Sequence, residues 1–303
     1  MYMAVIGCDT WGRMNRPTSL RLAPAVDVPP HAYFVVSAVF HYLGPSFAVL
    51  LFARVHVLGV AWLRIASAAV ILGLWRRPWR RLAAISRKGR MLLVLWGVTL
   101  AAMNCCFYSA IDRLALGTVA AIEFLPVIAL AALGVRTRRN ALALMLAVSG
   151  VYLLTHVELR AQPAGLVLAF ANAVLFALYV VLADRVAKLP QVSGIDGLAA
   201  SMLIASIAVT PVAAWQAGAA VTHPLLLGAG IGVGVSSSVI PYVTDQLALA
   251  RLRRATYALM VSLLPAVATV IGVVVLAQVP SGAQVAGVAL VMGGVAAHRE
   301  AAP

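Results

Sequence analysis

The sequence predicts an all-α integral membrane protein, with ten transmembrane helices in two inverted five-helix repeats and both termini cytoplasmic. Three observations carry that prediction. Of 303 residues, 63% are hydrophobic and 11% charged, whereas a soluble domain is nearer half apolar and a quarter charged. The apolar residues gather in runs of membrane-crossing length. The basic residues gather in alternate loops between those runs.

A crossing helix needs about 20 apolar residues, with roughly 17 to 25 tolerated. Such runs cover 31–51, 57–75, 91–111, 116–134, 140–156, 164–183, 196–216, 224–248, 254–277 and 282–297. The fifth and tenth are the shortest. Backbone polar groups in hydrocarbon must be satisfied within the segment, which makes these runs helices. The apolar/polar alternation of a membrane β-barrel is absent. Residues 1–30, with Arg13, Arg16, Arg21 and Pro29-Pro30, are too polar for a signal peptide. They read as a cytoplasmic tail without function, with Met14 as an internal start. Residues 298–303 form the other tail.

Loop charge tests the count. With the N-terminus inside, 19 of the 23 basic residues fall on cytoplasmic segments. The 76–90 loop alone holds Arg76, Arg77, Arg80, Arg81, Arg87, Lys88 and Arg90. Outside loops hold only Arg54, Arg113 and Arg160, and Arg64 lies within a run. That asymmetry obeys the positive-inside rule, and a miscounted span would scramble it.

The two halves resemble each other. Arg113-Leu-Ala-Leu-Gly-Thr-Val-Ala120 matches Arg251-Leu-Arg-Arg-Ala-Thr-Tyr-Ala258, 138 positions later, and a proline follows each, Pro126 and Pro265. That offset is five spans, an odd number, so the second copy is inserted upside down. The charges invert with it: the loop after the second run is strongly basic, and its counterpart, 216–223, has no Lys or Arg. Inverted repeats are an architecture of secondary transporters, whose sites lie near the midplane at interrupted helices. The expected pathway runs between spans 1, 3, 4, 6, 8 and 9. Helices interrupted by Pro126, Pro241 and Pro265 are the expected gates.

Charges within spans are costly and need a reason. Glu123 precedes Pro126, which kinks its helix and frees carbonyls nearby. A carboxyl buried there suits a proton or amine site, or else pairs permanently with Arg64. Arg64 has three readings: a bidentate clamp for a carboxylate, a partner for Glu123, or a side chain snorkelling outward. Asp245 is either a transport residue or an ion-pair partner of the cluster at Arg251. Asp112, Asp184 and Asp196 sit at span ends and read as interfacial. Asn104 and Tyr108 share one helix face, as do Asn172 and Tyr179. Ser236, Ser237, Ser238 and Tyr242 flank Pro241. These polar residues either line a pathway or join helices. Gly228, Gly230, Gly232 and Gly234 read as packing.

Other classes fit less well. A net charge of +14 suggests nucleic acid, but the basic residues lie in short loops, without the solvated basic face of a nucleic-acid binder. Cys8, Cys105 and Cys106 have no metal-ligand spacing and read as ordinary thiols, so neither metal nor cofactor is expected. No HExxH, GxSxG or P-loop marks an enzyme. A receptor would not need a repeated, inverted half.

The stretch from Met103-Asn104 through Tyr108 and Arg113 to Glu123-Phe124 resembles the bacterial threonine/homoserine exporter group. That group belongs to the drug/metabolite transporter superfamily, with EamA-type repeats. Ser237-Ser238-Val-Ile-Pro241-Tyr242, followed by an acid, resembles the group's second repeat. The likeness covers residues 31–297, giving repeats at 31–156 and 164–297. Leu125 stands where the group has a glycine, Leu264 where it has an acid, and Asp245 where it has a glutamate. The resemblance implies export of a small amino acid across the bacterial inner membrane by proton antiport. It implies the lipid bilayer and a small-molecule substrate as partners. Export of another metabolite or a drug remains the alternative. Glu123 is the expected proton or amino-group site. Asn104, Tyr108, Asn172, Tyr179 and Tyr242 are the expected lining, with Arg64 and Asp245 as further candidates.

Overall fold

A computed structural model describes residues 29–82, 85–134, 137–158, 162–189, 192, 194–252 and 260–297. Among them every regular element is a helix. The helices are α1 Pro30–Leu51, α2 Val57–Arg76, α3 Arg87–Ile111, α4 Leu116–Gly134, α5 Arg138–Glu158 and α6 Pro163–Ala187. They continue with α7 Gly194–Ala213, α8 Pro224–Gly234, α9 Ile240–Arg251, α10 Leu264–Leu276 and α11 Gly282–Ala297. A π-helical turn, Val235–Val239, joins α8 to α9 without a break. Short turns at Trp79–Leu82, Ala214–Ala217 and Gly218–Thr222 fill the connections.

Among the described residues six segments are long and apolar enough to cross a membrane: Pro30–Leu51, Val57–Arg76, Arg87–Ile111, Pro163–Ala187, Ile195–Ala217 and Pro224–Asp245. Leu116–Pro126, Leu264–Leu276 and Gly282–Ala297 are shorter apolar helices. The fifth predicted run, 140–156, becomes a helix of 21 residues, because Arg138 and Arg139 join its start and Val157 and Glu158 its end. Pro265 lies at the start of α10, not inside it. Residues 253–259 of the second motif copy, with Arg253 and Arg254, lie outside the described residues, as do the tails, Arg136 and Arg160.

The surface is apolar and the interior partly polar. Val167, Val174, Ile207 and Val274 are more than 60% exposed, while Arg64, Asn104, Glu123, Asn172, Ser237 and Asp245 are buried. Lipid accounts for this inversion, because hydrocarbon covers an apolar surface at no cost and leaves the bundle interior to polar groups.

Helix α11 packs on α5, α2 on α7, and α10 on α4. Helices α3 and α6 pack together, as do α9 and α1. The α5–α11 seam is made of small residues. A Cβ on Gly150 would lie 2.5 Å from the Gly287 carbonyl, and one on Gly294 would lie 2.6 Å from that of Ala143. No side chain fits between the backbones there. Gly150→Val or Gly287→Val is expected to cost about 1–3 kcal/mol through overpacking, read as a lower unfolding midpoint in detergent. Gly228→Ala, in open space, should leave the midpoint unchanged.

Candidate transport site

The π-turn is where the site begins. Pro241 has no N–H, so an unbroken helix would leave the carbonyl four residues back, that of Ser237, without its partner. The chain opens into a wider turn instead, and the Ile240 N–H reaches the Val235 carbonyl. Such turns recur at functional sites. Two glycines let neighbours close on it. A Cβ on Gly44 of α1 would lie 2.5 Å from the Ser237 Cβ, and one on Gly234 would lie 2.8 Å from the Arg64 carbonyl of α2.

Arg64 fills the place so made. Its Nη2 donates to the Ser237 carbonyl at 3.3 Å. Its Nε donates to the Ser237 and Ser238 hydroxyls at 2.8 and 3.2 Å. Its Nη1 donates to the Asn104 Oδ1 of α3, and Asn104 is itself fixed by donating to the Leu100 carbonyl at 2.8 Å. The guanidinium lies 5.4 Å from the centre of the Tyr108 ring, within cation–π range. Arg64 is 9% exposed, so it does not snorkel. No carboxylate lies within 4.0 Å of it among the described residues, so it is not ion-paired to Glu123. Its hydrogen-bond partners are all neutral.

Glu123 of α4 is buried and accepts a hydrogen bond from the Asn172 Nδ2 of α6 at 3.3 Å. Arg64, Tyr42 and Tyr242 lie within its electrostatic reach. The Tyr42 and Tyr108 hydroxyls and the Asn172 Oδ1 are buried without a protein hydrogen-bond partner. Buried polar atoms are nearly always satisfied, so three around one pair of charges mark a place for a polar ligand or water. Tyr42 was not singled out by sequence; its signal is a tyrosine just before Gly44-Pro45 in an apolar run.

Tyr179 and Tyr242 face each other. Tyr179 stacks on Phe176 at 6.2 Å and leans on Trp96 at 5.5 Å, which makes an aromatic wall. Asp245 is buried within reach of both tyrosines. Arg251 lies 5.1 Å over the Tyr33 ring. The structure thus buries Arg64, Asn104, Tyr108, Glu123, Asn172 and Asp245, with Tyr179 and Tyr242 half-buried within reach of Asp245. Asp196 pairs with Arg76 at 2.8 Å and Asp184 with Lys188 at 2.6 Å, both near helix ends. Among the described residues no group of His, Cys, Asp or Glu is placed to hold a metal ion.

The EamA-like transporter family matches residues 163–297. The threonine/homoserine exporter RhtA of Salmonella typhimurium is 32% identical over 249 residues, 80% of this chain and 81% of that protein. The chain belongs to the EamA-like transporter family. The Escherichia coli K12 protein of the same name is 32% identical over 242 residues, 78% of this chain and 79% of that one. One solved crystal structure, at 21% identity, matches 89% of this chain and 98% of its own with a TM-score of 0.50. That last likeness concerns fold alone. This EamA-like chain is therefore a membrane exporter and not an enzyme.

Because Arg64 depends on neutral acceptors, losing one is costly. Asn104→Ala is expected to destabilise this transporter by about 1–3 kcal/mol, the cost of stranding a buried donor. Thermal unfolding in detergent would read it, and Asn104→Ser, which keeps an acceptor oxygen, should restore part of the loss.

Proposed function

We propose that this chain exports a small α-amino acid of the threonine or homoserine kind across the bacterial inner membrane, in exchange for protons. The observation that carries the reading is a buried cation, Arg64, bonded only to neutral groups and within electrostatic reach of a buried carboxyl, Glu123. A zwitterion matches two opposite charges held apart. Its carboxylate meets the guanidinium in the bidentate geometry that Arg favours. Its ammonium meets Glu123. A side-chain hydroxyl meets the free atoms of Tyr42, Tyr108 or Asn172. Relatives named threonine/homoserine exporters favour the same substrates.

Competition for one carboxyl supplies the coupling. A protonated Glu123 cannot balance an ammonium, so proton and substrate exclude each other there. Exclusive occupancy is what exchange requires. The helix pairing favours two inverted five-helix repeats. Exchanging each half for the other turns the α3–α6 contact into that of the α8–α9 helix with α1, and leaves α2–α7, α4–α10 and α5–α11 as pairs. Alternating access then moves one half against the other, with Pro126, Pro241 and Pro265 at the bending points. Both termini are cytoplasmic on the loop charges.

Flux of labelled threonine and homoserine from proteoliposomes, with and without an imposed pH gradient, tests this. Gradient-driven efflux is expected, and Glu123→Gln should abolish it while leaving the protein folded. Gradient-driven flux undiminished in Glu123→Gln would remove the carboxyl from the mechanism. Absence of flux for both amino acids would overturn the substrate. Arg64→Gln is expected to raise the half-saturating concentration about 10- to 100-fold, the worth of one charge-assisted contact. Threoninamide, which lacks the carboxylate, should compete poorly with threonine in the wild type. Equal competition by the amide would remove Arg64 from recognition.

A further inference from the structure

We propose that the loop between α2 and α3 is a binding site for the anionic phosphodiester headgroups of the surrounding bilayer. The inference rests on the chain spanning a membrane, not on what it carries.

The loop is strongly basic, and most of its described charges have no acidic partner among the described residues. Among the described side chains of the loop, Arg76 has an acidic partner, Asp196, at 2.8 Å. Arg77, Arg80, Arg87, Lys88 and Arg90 are exposed. None has a carboxylate within 4.0 Å among the described residues. Three of these occupy the first turn of α3, which has no acid there. A helix begins at the positive end of its dipole, where basic side chains are unfavourable. Nothing in the fold gains from that placement, and an anionic partner would relieve it.

Apolar neighbours say where the partner comes from. Leu74 and Trp75 on the last turn of α2 are 64% and 54% exposed, and Met91 on the second turn of α3 is 64% exposed. Trp79, in the turn between, is 48% exposed. Helices α2 and α3 pack together, so the apolar residues lead directly to the basic ones. A surface that passes from aliphatic through tryptophan to arginine follows the depth profile of one leaflet. A lipid has the same order, with acyl chains against Leu74 and Met91 and its phosphodiester among Arg80, Arg87 and Arg90. Clusters of four to eight basic residues beside a transmembrane helix attract anionic headgroups. A free phosphate or a nucleic acid would use the arginines but leave the tryptophans without a role.

The test uses the full-length protein, delipidated in detergent and titrated with phosphatidylglycerol or phosphatidylcholine, with retained lipid counted by native mass spectrometry. Phosphatidylglycerol is expected to bind about tenfold more tightly, and that preference should weaken as salt rises. The triple variant Arg80→Gln, Arg87→Gln and Arg90→Gln should lose the preference, while the same three changed to Lys should keep it. Its unfolding midpoint should hold or rise, since it removes charge from the wrong end of α3, so a folding defect would not mimic the result. Equal binding of the two lipids by the wild type would overturn the proposal, as would an unchanged preference in the triple variant. Displacement of the lipid by millimolar glycerol phosphate would assign the site to a free phosphoester instead.

Discussion

A guanidinium inside a membrane protein needs an environment built for it, and much of this interior serves that need. Arg64 is held by the hydroxyls of Ser237 and Ser238, the Ser237 carbonyl and the amide oxygen of Asn104. Each partner depends on another local choice. The carbonyl is available because Pro241 carries no N–H. The π-turn widens the helix where two serines must face Arg64. Gly44 and Gly234 let α1 and α2 come close enough to seal the turn. The desolvation cost of the charge is met by dipoles rather than by a counter-ion. An ion pair with Glu123 would have neutralised both groups, and neither could then bind an opposite charge from a ligand.

The repeated halves do not carry equal chemistry. At the 138-residue offset, Arg64 corresponds to Met202, and Glu123 falls against Val261 or Ser262. Both charges therefore sit on the first half. Asn104 corresponds to Tyr242, a polar residue kept but changed in kind. The frame is symmetric in its helix pairs, whereas the site is polar in one direction.

Much of this was legible in sequence because its causes are local. Hydropathy and loop charge located the apolar helices, and the cost of burying ions singled out Glu123, Arg64 and Asp245. What was not legible depends on contacts between distant residues. Three fates for Arg64 were open, since nothing near it in the chain says that Ser237, 173 positions away, would accept its hydrogen bond. Tyr42 looked like one more aromatic in an apolar run until its hydroxyl was placed beside Glu123. Pro241 was recognisable as a helix breaker, but the π-turn it accompanies requires neighbours that tolerate the bulge. Leu125 packs against the apolar core, and Leu264, which stands where the resembled group has an acid, is buried in it, so packing takes the place of that charge.

The π-turn also acts as a register device. A π-turn is in effect one residue inserted into an α-helix, and a helix advances about 100° per residue. Everything after Val239 is therefore rotated about a third of a turn from where an uninterrupted helix would point it. Tyr242 faces Tyr179, and Asp245 lies in the interior, because of that extra residue. The turn falls on Ser236-Ser237-Ser238, two of which hold Arg64. One residue more or fewer in that run would turn a different face of α9 toward the bundle interior.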